Sequence, residues 1–230
     1  SLRYCRDSSF RQRVLSVVWD PRRQVSLDFS RSDVTPLQTM ELEQSMQVYS
    51  VKLRKCLGVS QTLVNVLGSL GLQSLDLSYC ELFSDVTSLG SIPSLKLDHC
   101  YHITDVSALG SVHNLSLLCC HRVTDVSALG SVCTLNLAGC EGVCDVSALG
   151  QVHNLDLACC INITDVSALG NVYSLNLAGC NGVCDVSSLG GVHILSLFYT
   201  CLVTDVSALG GVHTLNLGRC GNRLDLSCLG

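Results

Sequence analysis

The chain has 230 residues, 47% of them hydrophobic and only 14% charged, so it has apolar side chain enough for a sizeable core and few groups with which to bind by charge alone. A net charge of -5 argues against nucleic acid and against an anionic membrane surface as partners. No apolar run approaches the roughly 18 residues of a membrane span, and SLRYCRDSSF lacks the apolar core of a signal peptide, so a soluble chain is expected.

Residues 1–23 read as an N-terminal helical cap, because Phe10, Val14 and Val18 fall on one helical face after a Ser or Asp cap. Ten of the fourteen Lys and Arg lie at or before Lys55, against six acidic residues, so this end is basic and the rest acidic. The cluster Arg11, Arg13, Arg22 and Arg23 reads as a solvated face of the cap. Over 24–71, VSLDFS and VYSVKLRKC open two longer units of about 24 residues. In the first, Thr35-Pro36-Leu37-Gln38 fits a capping box with proline at the first helical position, and Ser60 starts a helix in the second.

From 72 to 230 the chain divides into eight blocks of twenty residues. One block runs Val112, Leu115, Leu117, Cys120, Val123, Thr124, Asp125, Val126, Leu129, Gly130, and the others repeat it with little drift. Cys80, Cys100, Cys120, Cys140, Cys160, Cys180 and Cys220 stand twenty apart, with Thr200 in the one gap. Stacked strands would set such side chains about 4.8 Å apart and parallel, which is poor torsion geometry for a disulfide. Buried, small, apolar free thiols in a reducing compartment are expected. Within TDVSALG, Thr124 or Asp125 caps a helical turn, Val126 and Leu129 enter the core, and Gly130 permits a left-handed exit. Capping is preferred over a calcium ladder for the Asp row, since no further oxygen ligands accompany it. Blocks 111–130 and 151–170 share VHNL and CC, while 131–150 and 171–190 share LNLAGC and GVCDVS, so a forty-residue unit has been duplicated. At the C-terminal end Arg223 takes the slot of Val203, and the chain stops at Gly230 on a repeat boundary, either as a degenerate cap or before further coils.

L-x-x-L-x-L-x-x-C followed by x-x-[IV]-T-D resembles the cysteine-containing class of leucine-rich repeats, over roughly residues 24–230. The best-known members of that class are substrate-recognition arms of F-box ubiquitin ligases. The short V-S-A-L-G return is instead similar to the most compact leucine-rich repeats, and the near-identical coils resemble expanded families of protists and large DNA viruses. The resemblance implies an α/β solenoid: a parallel sheet lines the concave face, short helical or 3-10 returns the convex face. It also implies that residues between and after the strand leucines face outward on the concave side, where partners dock. From these slots the candidate contact residues are Asp76, Tyr79, Lys96, Asp98 and His99 at one flank. Asn136, Asp156, Asn176 and Asn216 follow along the face, with Phe198, Tyr199 and Arg219 at the other flank.

No nucleophile with a base and no local catalytic signature is present, so no catalytic residue, metal or cofactor is expected. His113, His153, His193 and His213 share one slot, interrupted by Cys133 and Tyr173, and read as solvated or rim-packed rather than as zinc ligands. The leading functional expectation is a non-enzymatic, intracellular scaffold (cytoplasmic or nuclear) binding a protein partner, with neither nucleic acid nor membrane. The alternative is a substrate arm of an F-box-type adaptor, although no F-box segment is visible within these 230 residues. An enzyme is the outsider.

Overall fold

The computed structural model describes residues 25–31, 48–220 and Leu224. The expected cap helix over 1–23, the capping box at Thr35, the Arg11 to Arg23 cluster and the Arg223 coil lie outside the described residues.

Among the described residues ten strands form one parallel sheet in chain order: β1 (Val25–Asp28), β2 (Val48–Lys52), β3 (Ser74–Asp76), β4 (Ser94–Lys96) and β5 (Asn114–Ser116). They are followed by β6 (Thr134–Asn136), β7 (Asn154–Asp156), β8 (Ser174–Asn176), β9 (Ile194–Ser196) and β10 (Thr214–Asn216). From β3 onward each strand pairs with the next at a shift of twenty, so that Leu75, Leu95, Leu115 and Leu135 stand side by side. Three-residue strands have no independent stability. What fixes them is that the same leucine meets the same leucine in the next coil, so each coil's open face is covered only by its neighbour.

The core is a continuous column. Val112, Leu115, Leu117, Val123, Val126 and Leu129 are each at most 2% exposed, and the corresponding residues of the other inner coils match them. Return segments differ with length. The second unit has room for a helix, α1 (Gln61–Ser69), which Ser60 caps by accepting the Leu63 N–H and which buries Leu63, Val64 and Leu67. Gln61 ties it to the next coil, its Nε2 donating to the Asp85 carbonyl at 2.7 Å and its Oε1 accepting the Asp85 N–H at 3.1 Å. The twenty-residue coils have room only for single 3-10 turns such as Ser107–Leu109 and Ser127–Leu129.

Two local expectations are corrected here. Gly130 does not leave the turn left-handed; its φ of -62° is right-handed. A Cβ on Gly130 would run into the carbonyl oxygen of Ala148 in the following coil, and Gly110, Gly150 and Gly190 meet Ala128, Ala168 and Ala208 in the same way. Glycine is required because adjacent turns touch backbone to backbone. The ladder cysteines, likewise, are more than small apolar fillers. Cys140 Sγ donates to the Leu117 carbonyl at 3.0 Å, Cys160 to Leu137 at 3.0 Å and Cys180 to Leu157 at 3.0 Å, each reaching back one coil. Thr200 does the same with its hydroxyl, to Leu177 at 3.2 Å. The slot selects a short side chain with a donor, which is why threonine fills the gap and valine does not.

Candidate partner-binding face

Each strand presents three outward slots, at its first residue, its third, and the residue two beyond. The third-slot amides and carboxylates are tied to their own turns. Asn136 Oδ1 accepts the Ala138 N–H at 2.9 Å, Asn176 the Ala178 N–H at 3.0 Å and Asn216 the Gly218 N–H at 3.0 Å. Asp76 accepts both the N–H and the hydroxyl of Ser78, at 3.0 and 2.6 Å. Asp156 accepts the Ala158 N–H and the Asn176 amide, each at 3.0 Å. The chain turns away from the sheet two residues later, and without an Asx oxygen that N–H would lack an acceptor. Lys96 and Ser116 cannot fill this role in the same manner. Asp98, one coil earlier, accepts the Leu118 N–H at 3.2 Å together with the Ser116 hydroxyl. Asn136 is therefore a turn fastener, not the exposed polar group without a packing role that its slot implies.

The flank residues occupy a different position. Tyr79, His99, Tyr199 and Arg219 all have positive φ, between 57° and 64°, in the slot immediately before the ladder residue. Gly139 and Gly179 fill that slot in mid-array, where the left-handed backbone is free of strain, and Cys119 and Cys159 alternate with them. A side chain there costs on the order of 1 kcal/mol. So this slot, not Gly130, carries the left-handed turn.

Ring contacts organise both flanks. The Tyr79 ring lies between Arg54 of the preceding coil, 5.1 Å from its centroid, and His99 of the following coil, stacked at 4.3 Å and 16°. His99 Nδ1 also meets the Tyr101 hydroxyl at 3.0 Å. At the other end Arg219 lies 5.7 Å over Phe198, with Tyr199 half exposed beside it. The histidine slot forms a stack as well. His153, Tyr173, His193 and His213 succeed one another at 4.7, 4.8 and 4.6 Å, so Tyr173 continues the row instead of interrupting it. Parallel rings direct their nitrogens side by side, and among the described residues no group of three His, Cys, Asp or Glu is placed to hold a metal.

On the opposite face the Asp row is held by backbone. Asp125 Oδ1 accepts the Ser127 N–H at 2.9 Å, and Asp105, Asp145 and Asp185 repeat the bond at 2.9 Å. The aspartate, not the threonine before it, caps the turn. The serine hydroxyl and then its N–H hold the Asp105 and Asp125 carboxyls below the usual value of 3.8. The N–H leads for Asp145, Asp165 and Asp185. Among thiols, burial pushes Cys120, Cys160 and Cys180 up to about 12, whereas Cys144 and Cys184 are exposed. No helix among the described residues is long and apolar enough to cross a membrane.

No protein-family model and no curated protein matches the sequence. Solved structures do match in fold. An internalin (inlF) from Listeria monocytogenes str. 4b F2365 aligns with a TM-score of 0.51 at 16% identity, over 86% of this chain and 68% of that one. An internalin C2 (inlC2) from the same strain gives 0.50 at 18% identity, over 71% and 79%. A leucine-rich repeat-containing protein, LegL7, from Legionella pneumophila gives 0.47 at 19%, over 83% and 82%. With its single parallel sheet, its short returns and a leucine frame that repeats every twenty residues, the chain has the fold of a leucine-rich-repeat solenoid.

Proposed function

We propose that the chain is a non-enzymatic scaffold that binds a protein partner on the concave face of its sheet. The observation that carries this reading is the C-terminal flank, where Ile194 and Phe198 are 39% and 38% exposed in two outward slots and Tyr199 is 50% exposed in the left-handed slot, with Arg219 over Phe198. Leu57, Leu82, Ile161 and Leu202 are exposed singly outside the strand slots, whereas here an aliphatic and two aromatic side chains are exposed within one coil, beside an arginine, which is the composition of an interface hot spot. Mid-array, Asn136, Asp156 and Asn176 spend oxygens on their own turns and contribute shape more than binding energy. The free ladder thiols support a reducing, intracellular setting.

The test is affinity capture from native lysate followed by measured binding of the purified partner. Changing Phe198, Tyr199 and Arg219 to Ala, Ala and Gln should weaken that partner at least tenfold, about 1.4 kcal/mol, while the melting temperature holds. A captured partner indifferent to this variant, and to changes in the other outward slots, removes the concave-face reading.

A further inference from the structure

We infer that the N-terminal third of the concave face is a docking site for an acidic protein segment, a reading that rests on the scaffold function above. Lys52, Arg54 and Lys55 lie in one coil, in the second outward slot, the third outward slot and the left-handed slot, and all three are exposed. Arg31 and Lys96 extend the exposed set one coil before and two coils after, so five cations gather on one end of a chain whose net charge is -5. Asp76 and Asp98 are interleaved with these cations and keep their charge, but their oxygens are held by neutral donors, and the cations remain in excess. Asp76 accepts two bonds from Ser78, and Asp98 holds the Leu118 N–H and the Ser116 hydroxyl. Asp28 likewise accepts the Ser30 N–H, and it also feels the charge of Lys52.

Arg54 is the anchor. Its guanidinium carbon lies 5.1 Å from the centre of the Tyr79 ring, which stacks in turn on His99, so the cation has a fixed neighbour while the residue stays exposed to water. A fork held in place loses little freedom when a carboxylate takes two of its hydrogens. Lys55 keeps a left-handed backbone (φ 57°) that glycine would adopt without strain, and it is exposed, next to Arg54 in the chain. The stack also decides the class of anion. Tyr79 carries a cation and an imidazole as ring neighbours, so the aromatic ring nearest the anchor is already stacked and offers a nucleobase little platform. On the opposite face the Asp row repels an acidic partner and directs it to this end.

Fluorescence anisotropy with a labelled ten-residue peptide of alternating Glu and Gly tests this on the full chain. At about 50 mM salt it should bind well above its Gln counterpart and weaken steeply by about 300 mM. Arg54→Gln with Lys55→Gln should weaken it about tenfold, and Lys96→Gln further. Arg219→Gln should leave it unchanged, and all these variants should keep the native melting temperature. Binding no better than the Gln peptide, indifference to the double variant, or tighter binding of an oligouridylate would each overturn the inference. If the acidic peptide fails while a captured partner still depends on Phe198 and Tyr199, only this inference falls and the scaffold function stands.

Discussion

Replacing Cys140 separates two roles that a buried thiol combines, filling space and donating a hydrogen bond. Its sulfur is fully buried and donates back to the Leu117 carbonyl at 3.0 Å, a carbonyl that also accepts the Cys120 N–H at 3.0 Å. Cys140→Ala removes one heavy atom and the donor. The cavity and lost transfer come to about 1 to 1.5 kcal/mol. The bond adds about 0.5 to 1 kcal/mol, at the low end because the carbonyl keeps one partner. The expected total is about 1.5 to 2.5 kcal/mol. Cys140→Val restores volume without a donor and should cost about 1 kcal/mol. Cys140→Thr keeps both and should cost under about 0.5 kcal/mol, because Thr200 already makes the same bond at 3.2 Å in the same slot. Urea titration with the slope held constant reads these differences directly. If valine proves as stable as threonine, the donor is irrelevant and the ladder is plain apolar packing.

Leu155→Ala, at 2% exposure between two coils, should cost about 2 to 5 kcal/mol, while Asn136→Ala should cost about 1 to 2 kcal/mol by orphaning the Ala138 N–H, both by urea melts. Gly130→Ala should cost about 1 to 3 kcal/mol despite its ordinary φ, because the new methyl meets the Ala148 carbonyl; a neutral result would mean the coils separate easily. Thiol-reactive reagent at pH 8 should label exposed Cys144 and Cys184 in the native chain and leave Cys120, Cys160 and Cys180 untouched until unfolding, read by mass. The Asp row has folded values below 3.8, so its contribution is complete above that pH and is lost as pH falls through the lowered values; Asp125→Asn with Asp145→Asn should therefore flatten the fall in melting temperature below about pH 4.

The period, the core slots, the cysteine ladder and the helix that Ser60 begins were all legible in the amino-acid order, since a solenoid repeats one contact and the contact repeats one letter. What stayed hidden was which atom of a letter acts. Gly130 is invariant in its slot, but the reason lies in a carbonyl eighteen residues further on, Ala148, brought close only by stacking. Cys140 looks apolar until its partner carbonyl, twenty-three residues back, is in place. Asn136 faces outward as its slot implies, yet its oxygen turns back on Ala138 within two residues, a local bond that the Asn-x-Ala spacing could have indicated. The candidate flanks were marked by aromatic and charged composition alone; their shared left-handed backbone and the stacks through Tyr79 and Phe198 are properties of the fold.

The direction of the ladder bonds has a consequence for how such a chain changes size. Every donor points from one coil to the carbonyl of the coil before, and from Cys100 to Cys220 the reach is always twenty-three residues. An inserted or deleted block of twenty therefore arrives with its own donor and finds an acceptor already waiting, with no substitution needed on either side. Gly130 and Asp125 obey the same rule, one needing only its neighbour's carbonyl and the other only its own turn. Array length is then a nearly neutral variable, free to drift by recombination between near-identical blocks. A shift of twenty carries a flank such as Arg219 and Phe198 bodily along the sheet, so the spacing between the two candidate flanks can be reset in single steps of one strand.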